Sequence, residues 1–209
     1  YISGGRLLRC KVTDGEARCD NNNSSCYSYG GGIYAANNNV VVSDCIIDGC
    51  RGYNCSSAYQ GTLMRCEIRN GTSRGCATRN GYTIACVYRS NYSNPTSCHG
   101  PYTSQVCVNC TVYDPNATDA AQVNNENTDF VNCAFAAGGY LLTVKGVAFD
   151  GNVAQNGGLK KVDDSFASIL PFGELHLTDP SAGDFRPFVE SACVGAGTLA
   201  SDEALAALR

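Results

Sequence analysis

Ser43-Asp44-Cys45-Ile46-Ile47 and Met64-Arg65-Cys66-Glu67-Ile68 are two copies of one local pattern, in which a cysteine sits between short runs of apolar and polar residues. Leu8-Arg9-Cys10-Lys11-Val12, Ile84-Ala85-Cys86-Val87-Tyr88, Val108-Asn109-Cys110-Thr111-Val112 and Val131-Asn132-Cys133-Ala134-Phe135 complete the series. The steps between these cysteines are 35, 21, 20, 24 and 23 residues. A repeat near this length with one short strand per copy is the pattern of a solenoid, in which each unit buries its apolar face only by stacking on its neighbours. Residues two before and two after each cysteine are mostly apolar and those between are mostly polar. The pattern therefore predicts one strand through each cysteine, with the cysteine and both flanking apolar residues on the same face.

Turn signals follow each strand, among them Asp14-Gly15, Asp48-Gly49, Asn70-Gly71 and Asp114-Pro115. They read as corners rather than hairpins, because no second strand of similar length follows at once. The expected fold is all-β: a right-handed parallel β-helix of about six coils over 1–145, with a loop insertion near 20–32. An irregular terminal coil and a short capping helix over 146–209 complete one continuous domain. Ser201 caps the expected helix, with Asp202 and Glu203 in its first turn.

The chain has 209 residues with a formal charge of -4, so it lacks the basic face that nucleic acid requires. No apolar run is long enough to span a membrane. Fourteen cysteines suit an oxidising compartment, so the expected location is extracellular or at the cell surface. No signal peptide is visible, and Tyr1 reads as the start of a processed or trimmed chain. Cys10, Cys45, Cys66, Cys86, Cys110 and Cys133 are expected to form an inward thiol ladder, since parallel Cβ vectors make bridges between them strained. Disulfides are expected among the turn cysteines Cys19, Cys26, Cys50, Cys55, Cys76 and Cys98. Cys107-Val108-Asn109-Cys110 has a metal or redox spacing, but residues three apart on a strand face opposite ways. No metal site and no cofactor is expected.

Gly30-Gly31-Gly32-Ile33-Tyr34 followed by Val40-Val41-Val42-Ser43-Asp44-Cys45-Ile46-Ile47-Asp48-Gly49 resembles the "GGGxY…hxxCxhxxN" repeats of bacterial right-handed parallel β-helix surface proteins. Asp179-Pro180-Ser181-Ala182-Gly183-Asp184-Phe185-Arg186-Pro187, with Ser191-Ala192-Cys193-Val194-Gly195-Ala196-Gly197, resembles their closing "GDFRLxxxSPCIDAG" segment, with Ala192 for the usual proline and Gly195 for the usual Asp. The resemblance implies the β-helix fold. For function it implies a group of adhesins, passenger-type surface proteins and carbohydrate-active enzymes.

The leading expectation is therefore a non-catalytic extracellular or cell-surface structural module, adhesive or filament-forming, whose partners are other copies of itself or surface glycans. One alternative is a polysaccharide lyase or epimerase using Asp44, Asp48, Glu67, Arg65 and Arg69, with Arg89 nearby. Alternating charges on stacked strands explain the same residues as cross-strand pairs. The other alternative is a glycan-binding module that stacks sugars on Tyr53, Tyr59, Tyr82, Tyr92 and Tyr113, because a flat apolar ring with a polar tip suits that contact. Tyr27, Tyr29, Tyr34 and Tyr102 also lie outside the cysteine column. Asn-x-Ser/Thr triplets at Asn22, Asn23, Asn54, Asn70, Asn91, Asn109 and Asn116 fit the N-glycan acceptor pattern, but turn chemistry alone accounts for that composition and is the preferred reading.

Overall fold

The computed structural model describes residues 1–18, 28–73, 76–89, 102–103, 106–114, 129–131, 134–137, 149–155, 166–171, 177–179 and 181–191. These residues are all-β, with no helix among them. Short strands follow one another closely: β1 (Arg6–Leu8), β2 (Lys11–Thr13), β3 (Glu16–Ala17), β4 (Ile33–Tyr34), β5 (Val41–Ser43), β6 (Ile46–Asp48) and β7 (Arg51–Gly52). The series continues with β8 (Cys55–Tyr59), β9 (Thr62–Met64), β10 (Glu67–Arg69), β11 (Cys76–Arg79), β12 (Tyr82–Ile84), β13 (Val87–Arg89) and β14 (Tyr102–Thr103). Next come β15 (Val106–Val108), β16 (Thr111–Asp114), β17 (Asp129–Val131), β18 (Ala134–Ala137), β19 (Phe149–Gln155) and β20 (Phe166–Pro171). β21 (Leu177–Asp179) and β22 (Asp184–Pro187) form an antiparallel hairpin; every other strand pair is parallel.

Parallel pairing between such short segments needs a long return path, and the strand order supplies it. One limb of the main sheet runs β1-β5-β9-β12-β15-β17 and the other runs β2-β6-β10-β13-β16-β18. Both limbs meet at β19, which pairs with β17 through Phe149 and Asp150 and with β18 through Ala154 and Gln155. In the second limb Lys11, Ile46, Glu67, Val87, Thr111 and Ala134 are successive register partners, so the pairing advances in the same steps of 35, 21, 20, 24 and 23 as the cysteines. A second sheet, β4-β8-β11-β14, and the pair β3–β7 form separate walls.

Where a single strand through each cysteine is expected, there is a corner. The residue just before the cysteine is left-handed: Arg9, Asp44, Arg65, Ala85 and Asn109 have φ of 52°, 54°, 50°, 51° and 52°. That one residue turns the chain and resets the phase of the alternation. The buried set is therefore the residue three before the cysteine (Val42, Leu63, Thr83, Cys107), the cysteine itself, and the residue two after it (Ile47, Ile68, Tyr88). The residue two before is not uniformly inward: Leu8 is 46% exposed, while Ser43, Ile84 and Val108 are buried. A second left-handed corner recurs four residues after the cysteine, at Asp14, Gly49 and Asn70. It explains why Asp and Asn, which tolerate this backbone, alternate there with Gly.

Stacked like residues build the core. Ile47, Ile68 and Tyr88 lie in register in the second limb, and Val42 and Leu63 in the first, all essentially sealed from water. The Tyr88 hydroxyl does not go unmatched, since it hydrogen-bonds Thr78 Oγ1 at 2.7 Å from the opposite wall. Small residues let the walls close. A Cβ on Gly32 would lie 2.8 Å from both Cys50 Sγ and the Ser57 carbonyl and 3.0 Å from Ile47 Cγ2. Residues 20–27 of the loop expected near 20–32, Cys19, Cys26, Cys98, Cys133, Tyr92 and the C-terminal helix expected over 201–208 lie outside the described residues.

Candidate functional site

The corner explains the chemistry of the cysteine column. The N–H of the left-handed residue donates to the next repeat: Asp44 to the Met64 carbonyl (3.0 Å), Arg65 to Ile84 (2.9 Å) and Ala85 to Val108 (2.8 Å). The N–H after each cysteine donates to the preceding cysteine carbonyl, Glu67 to Cys45, Val87 to Cys66 and Thr111 to Cys86, each at 2.9 Å. For Cys10 and Cys45, sulfur of the next repeat takes the cysteine's own N–H. The Cys10 N–H donates to Cys45 Sγ at 3.4 Å, and the Cys45 N–H bears in the same way on the Cys66 sulfur. Each thiol also reaches the carbonyl two residues back, Cys45 to Ser43 (3.1 Å), Cys66 to Met64 (3.3 Å), Cys86 to Ile84 (3.4 Å) and Cys110 to Val108 (3.4 Å).

Every cysteine whose side chain is described is a free thiol: Cys10, Cys45, Cys50, Cys55, Cys66, Cys86, Cys107 and Cys110. Cys50 and Cys55, expected among the disulfide-forming residues, are buried thiols instead. Cys50 Sγ lies 3.5 Å from the Asp48 carbonyl, and Cys55 Sγ lies 2.8 Å from that of Ala58. Cys76 pairs with Cys55 through the backbone of β8 and β11. Cys107 and Cys110 do not face opposite ways. The left-handed Asn109 between them turns both inward, where Thr83 Oγ1 donates to Cys107 Sγ at 3.1 Å and the Cys110 thiol reaches the Thr83 carbonyl at 3.3 Å. Burial pushes the Cys45 and Cys50 thiols above their ordinary pKa and the fully enclosed Cys86 well above it. Cys66 moves the other way, because the Cys86 thiol hydrogen-bonds to it.

The outward charged residues converge as the lyase reading expects, yet they neutralise one another. Arg65 holds Asp44 in a two-point pair, Nε to Oδ1 at 2.7 Å and Nη2 to Oδ2 at 2.8 Å. Arg69 donates from Nε to Asp48 at 3.0 Å and from Nη1 to Glu67 at 3.0 Å. Lys11 approaches Asp48 at 3.7 Å, Asn70 donates to it at 2.8 Å, and Arg89 lies 3.9 Å from Glu67. The Arg65 hydrogen bond holds the Asp44 carboxyl below the usual range. For Asp48 burial pushes upward, but the bonds from Asn70 and Arg69 and the charges of Arg69 and Lys11 outweigh it, and the carboxyl also sits low. A general acid needs the opposite shift. Arg89 is engaged from above as well, donating to the Ser181 carbonyl at 2.7 Å, while Phe185 of β22 packs edge-on against Tyr113 at 5.5 Å. The β21–β22 hairpin is thereby anchored on this charged face.

The four glycan-candidate tyrosines among the described residues, Tyr53, Tyr59, Tyr82 and Tyr113, lie in different surroundings. Tyr53 is exposed, Tyr82 is half-buried in β12, and Tyr113 is covered on one side by Phe185. Tyr59 belongs to a different cluster, a ladder that stacks Tyr1 on Tyr34 (5.7 Å) and Tyr34 on Tyr59 (5.0 Å). Tyr29 leans on Tyr59 at 4.7 Å, Arg79 caps Tyr29 at 5.2 Å, and Asn80 Nδ2 donates to the Tyr59 hydroxyl at 3.1 Å. In this ladder Tyr29 and Tyr59 are half-buried, whereas Tyr34 and Tyr1 stay exposed at its outer end.

Among the described residues no three His, Cys, Asp or Glu side chains gather as a metal centre would require. No helix among them is long and apolar enough to cross a membrane. Compared with protein-family models, with curated proteins and with solved structures, the chain matches none.

Proposed function

We propose that the recurring unit winds as a right-handed parallel β-helix and that this rod is a non-catalytic structural module of an extracellular or cell-surface protein, adhesive or filament-forming. The observation that carries the reading is the shared step of cysteine and strand register, 35, 21, 20, 24 and 23 residues, maintained across the second limb. Parallel neighbours one repeat apart require a crossover each time, and such crossovers are right-handed in nearly all proteins. Three walls per repeat, with an αL corner at the cysteine and another four residues later, fit one turn of such a helix.

The non-catalytic part rests on the charged face. Asp44, Asp48 and Glu67 are each engaged by an arginine, and such pairs lock register between strands rather than leaving a carboxyl free to exchange a proton. None of the cysteines whose side chains are described is in a disulfide, so the surface assignment leans chiefly on the resemblance of the repeats and closing segment.

Sedimentation velocity across a concentration series, with negative-stain imaging, tests the scaffold reading; concentration-dependent rods are expected. A panel of anionic polysaccharides tests the alternative. Turnover abolished by Asp44→Ala and by Arg65→Ala would replace the scaffold reading with an enzyme. Retention on a glycan column, weakened by Tyr34→Ala, would replace it with a binding module.

A further inference from the structure

Stiffness alone does not explain why the two ends of the tyrosine ladder are built so differently. At the inner end Tyr29 and Tyr59 are half-buried, the Arg79 guanidinium lies 5.2 Å from the centre of the Tyr29 ring, and Asn80 Nδ2 donates to the Tyr59 hydroxyl at 3.1 Å. At the outer end Tyr1 is 84% exposed and Tyr34 37% exposed, and their rings stack at 5.7 Å with planes 30° apart. The backbone holds that pair in register: the Ile2 N–H donates to the Tyr34 carbonyl at 2.8 Å, and the Ala36 N–H to the Ile2 carbonyl at 2.9 Å. Two electron-rich phenols fixed ring to ring and open to water have a chemistry that isolated surface tyrosines lack.

We propose that Tyr1 and Tyr34 are the site of an oxidative tyrosine–tyrosine cross-link, made with hydrogen peroxide by a haem peroxidase. Each phenol gives up one electron and its hydroxyl proton and becomes a phenoxyl radical. The two radicals join through the ring carbons ortho to oxygen. One carbon–carbon bond forms, and the hydrogen on each joined carbon moves to the phenol oxygen, which restores both aromatic rings. The two electrons and two protons reduce one peroxide to two waters. The inner end of the ladder directs the oxidation outward. Taking an electron from Tyr29 would turn the attraction between Arg79 and that ring into repulsion. The donor on the Tyr59 oxygen opposes positive charge on its ring in the same way. Tyr59 stacks on Tyr34 at 5.0 Å, so an electron lost from the inner rings is replaced from Tyr34 and then from Tyr1. Competing side chains are few: the chain has no tryptophan and one methionine, and every described thiol except Cys10 is buried. The product ties Tyr1 to β4 by a covalent bond, which the described cysteines do not supply. The inference rests on the ladder geometry and stands whether or not the chain is a surface scaffold.

The test treats the folded chain, at low concentration, with peroxide and a purified haem peroxidase, then maps the products by proteolysis and mass spectrometry. Wild type should yield a linked pair of peptides carrying Tyr1 and Tyr34, from a single chain lighter by two hydrogens. Tyr34→Phe should leave Tyr1 without a partner in its own chain while strand circular dichroism is unchanged. Tyr53→Phe, which alters an exposed ring outside the ladder, should leave the adduct in place. In urea, with the rate on free tyrosine matched, the yield should fall about tenfold or more, because a neighbour held in place reacts at an effective concentration far above that of a loose chain. Absence of the Tyr1–Tyr34 adduct under conditions that couple free tyrosine, an equal yield in urea, coupling of Tyr1 mainly to a second chain, or coupling centred on Tyr29 and Tyr59 would overturn the proposal.

Discussion

Replacing Cys66 by alanine and by serine separates two roles for the cysteine column. In the first, sulfur completes the hydrogen bonding of a corner: it accepts from the Cys45 N–H and reaches the carbonyls of Met64 at 3.3 Å and Val42 at 3.4 Å. Alanine leaves the Cys45 N–H without an acceptor in a buried wall, which costs about 1–3 kcal/mol. It also removes a sulfur comparable in size to a methylene, for about 1 kcal/mol more. The sum is about 2–4 kcal/mol. Serine keeps an atom that both donates and accepts, so its cost is confined to shorter reach and lost volume, about 1–2 kcal/mol. In the second role the thiol is merely a small hydrophobe, and the order inverts, because a buried hydroxyl without a partner costs about 1–3 kcal/mol. Urea midpoints at constant m-value read the difference directly. Alanine milder than serine would refute the corner role.

Gly32→Ala should destabilise by about 1–3 kcal/mol through overpacking, because the new methyl would sit 2.8 Å from Cys50 Sγ and the Ser57 carbonyl; an unchanged urea midpoint contradicts the close approach of the walls. Ile47→Ala should cost about 2–5 kcal/mol by opening a cavity between fully buried neighbours, against under about 1 kcal/mol for Arg65→Ala on the exposed face. Asp44, Asp48 and Asp184 have folded pKa values below their ordinary one, Asp184 at about 2 because Arg186 bonds its carboxylate. Their contribution is complete above the unfolded aspartate value of about 3.9 and disappears as pH falls through the folded values. The urea midpoint should thus hold from pH 7 to about 5 and drop between about 4 and 2; a rise on acidification contradicts the ion-pair assignments. Arg89→Ala removes the donor to the Ser181 carbonyl and should speed amide exchange across β21 and β22 while leaving β10 protected, as hydrogen–deuterium exchange would record.

The cysteine spacing made the stacking legible before any coordinates, because hydrogen-bond register and residue spacing are one quantity in a parallel array. The same step foretells which charges meet. Asp44 and Arg65, and Asp48 and Arg69, are 21 residues apart, the separation of Cys45 from Cys66. The corner was not legible. Its left-handed residues are Arg9, Asp44, Arg65, Ala85 and Asn109, and only Asp and Asn among them favour that backbone. An alternation count therefore runs straight through the turn, puts the inward position one residue too late and sends Cys107 and Cys110 to opposite faces. The tyrosine ladder was hidden for a related reason. Tyr34 and Tyr59 are 25 residues apart, a spacing absent from the cysteine steps, and they stack because β4 pairs with β8 in a different wall. The usable signal was local: Gly30-Gly31-Gly32 directly before Ile33-Tyr34, where close backbone packing brings Tyr29 and Tyr34 against the same ring.

Amide-to-Hα nuclear Overhauser contacts across the second limb decide whether the repeats stack in parallel. A parallel stack predicts inter-strand contacts linking Ile46 to Glu67, Glu67 to Val87 and Val87 to Thr111, all in one direction along the strands. Close Hα–Hα contacts pairing β9 with β10, or β12 with β13, would mean that each cysteine corner closes an antiparallel hairpin, and the stacked thiols, the ion-pair ladder and the rod would all be wrong.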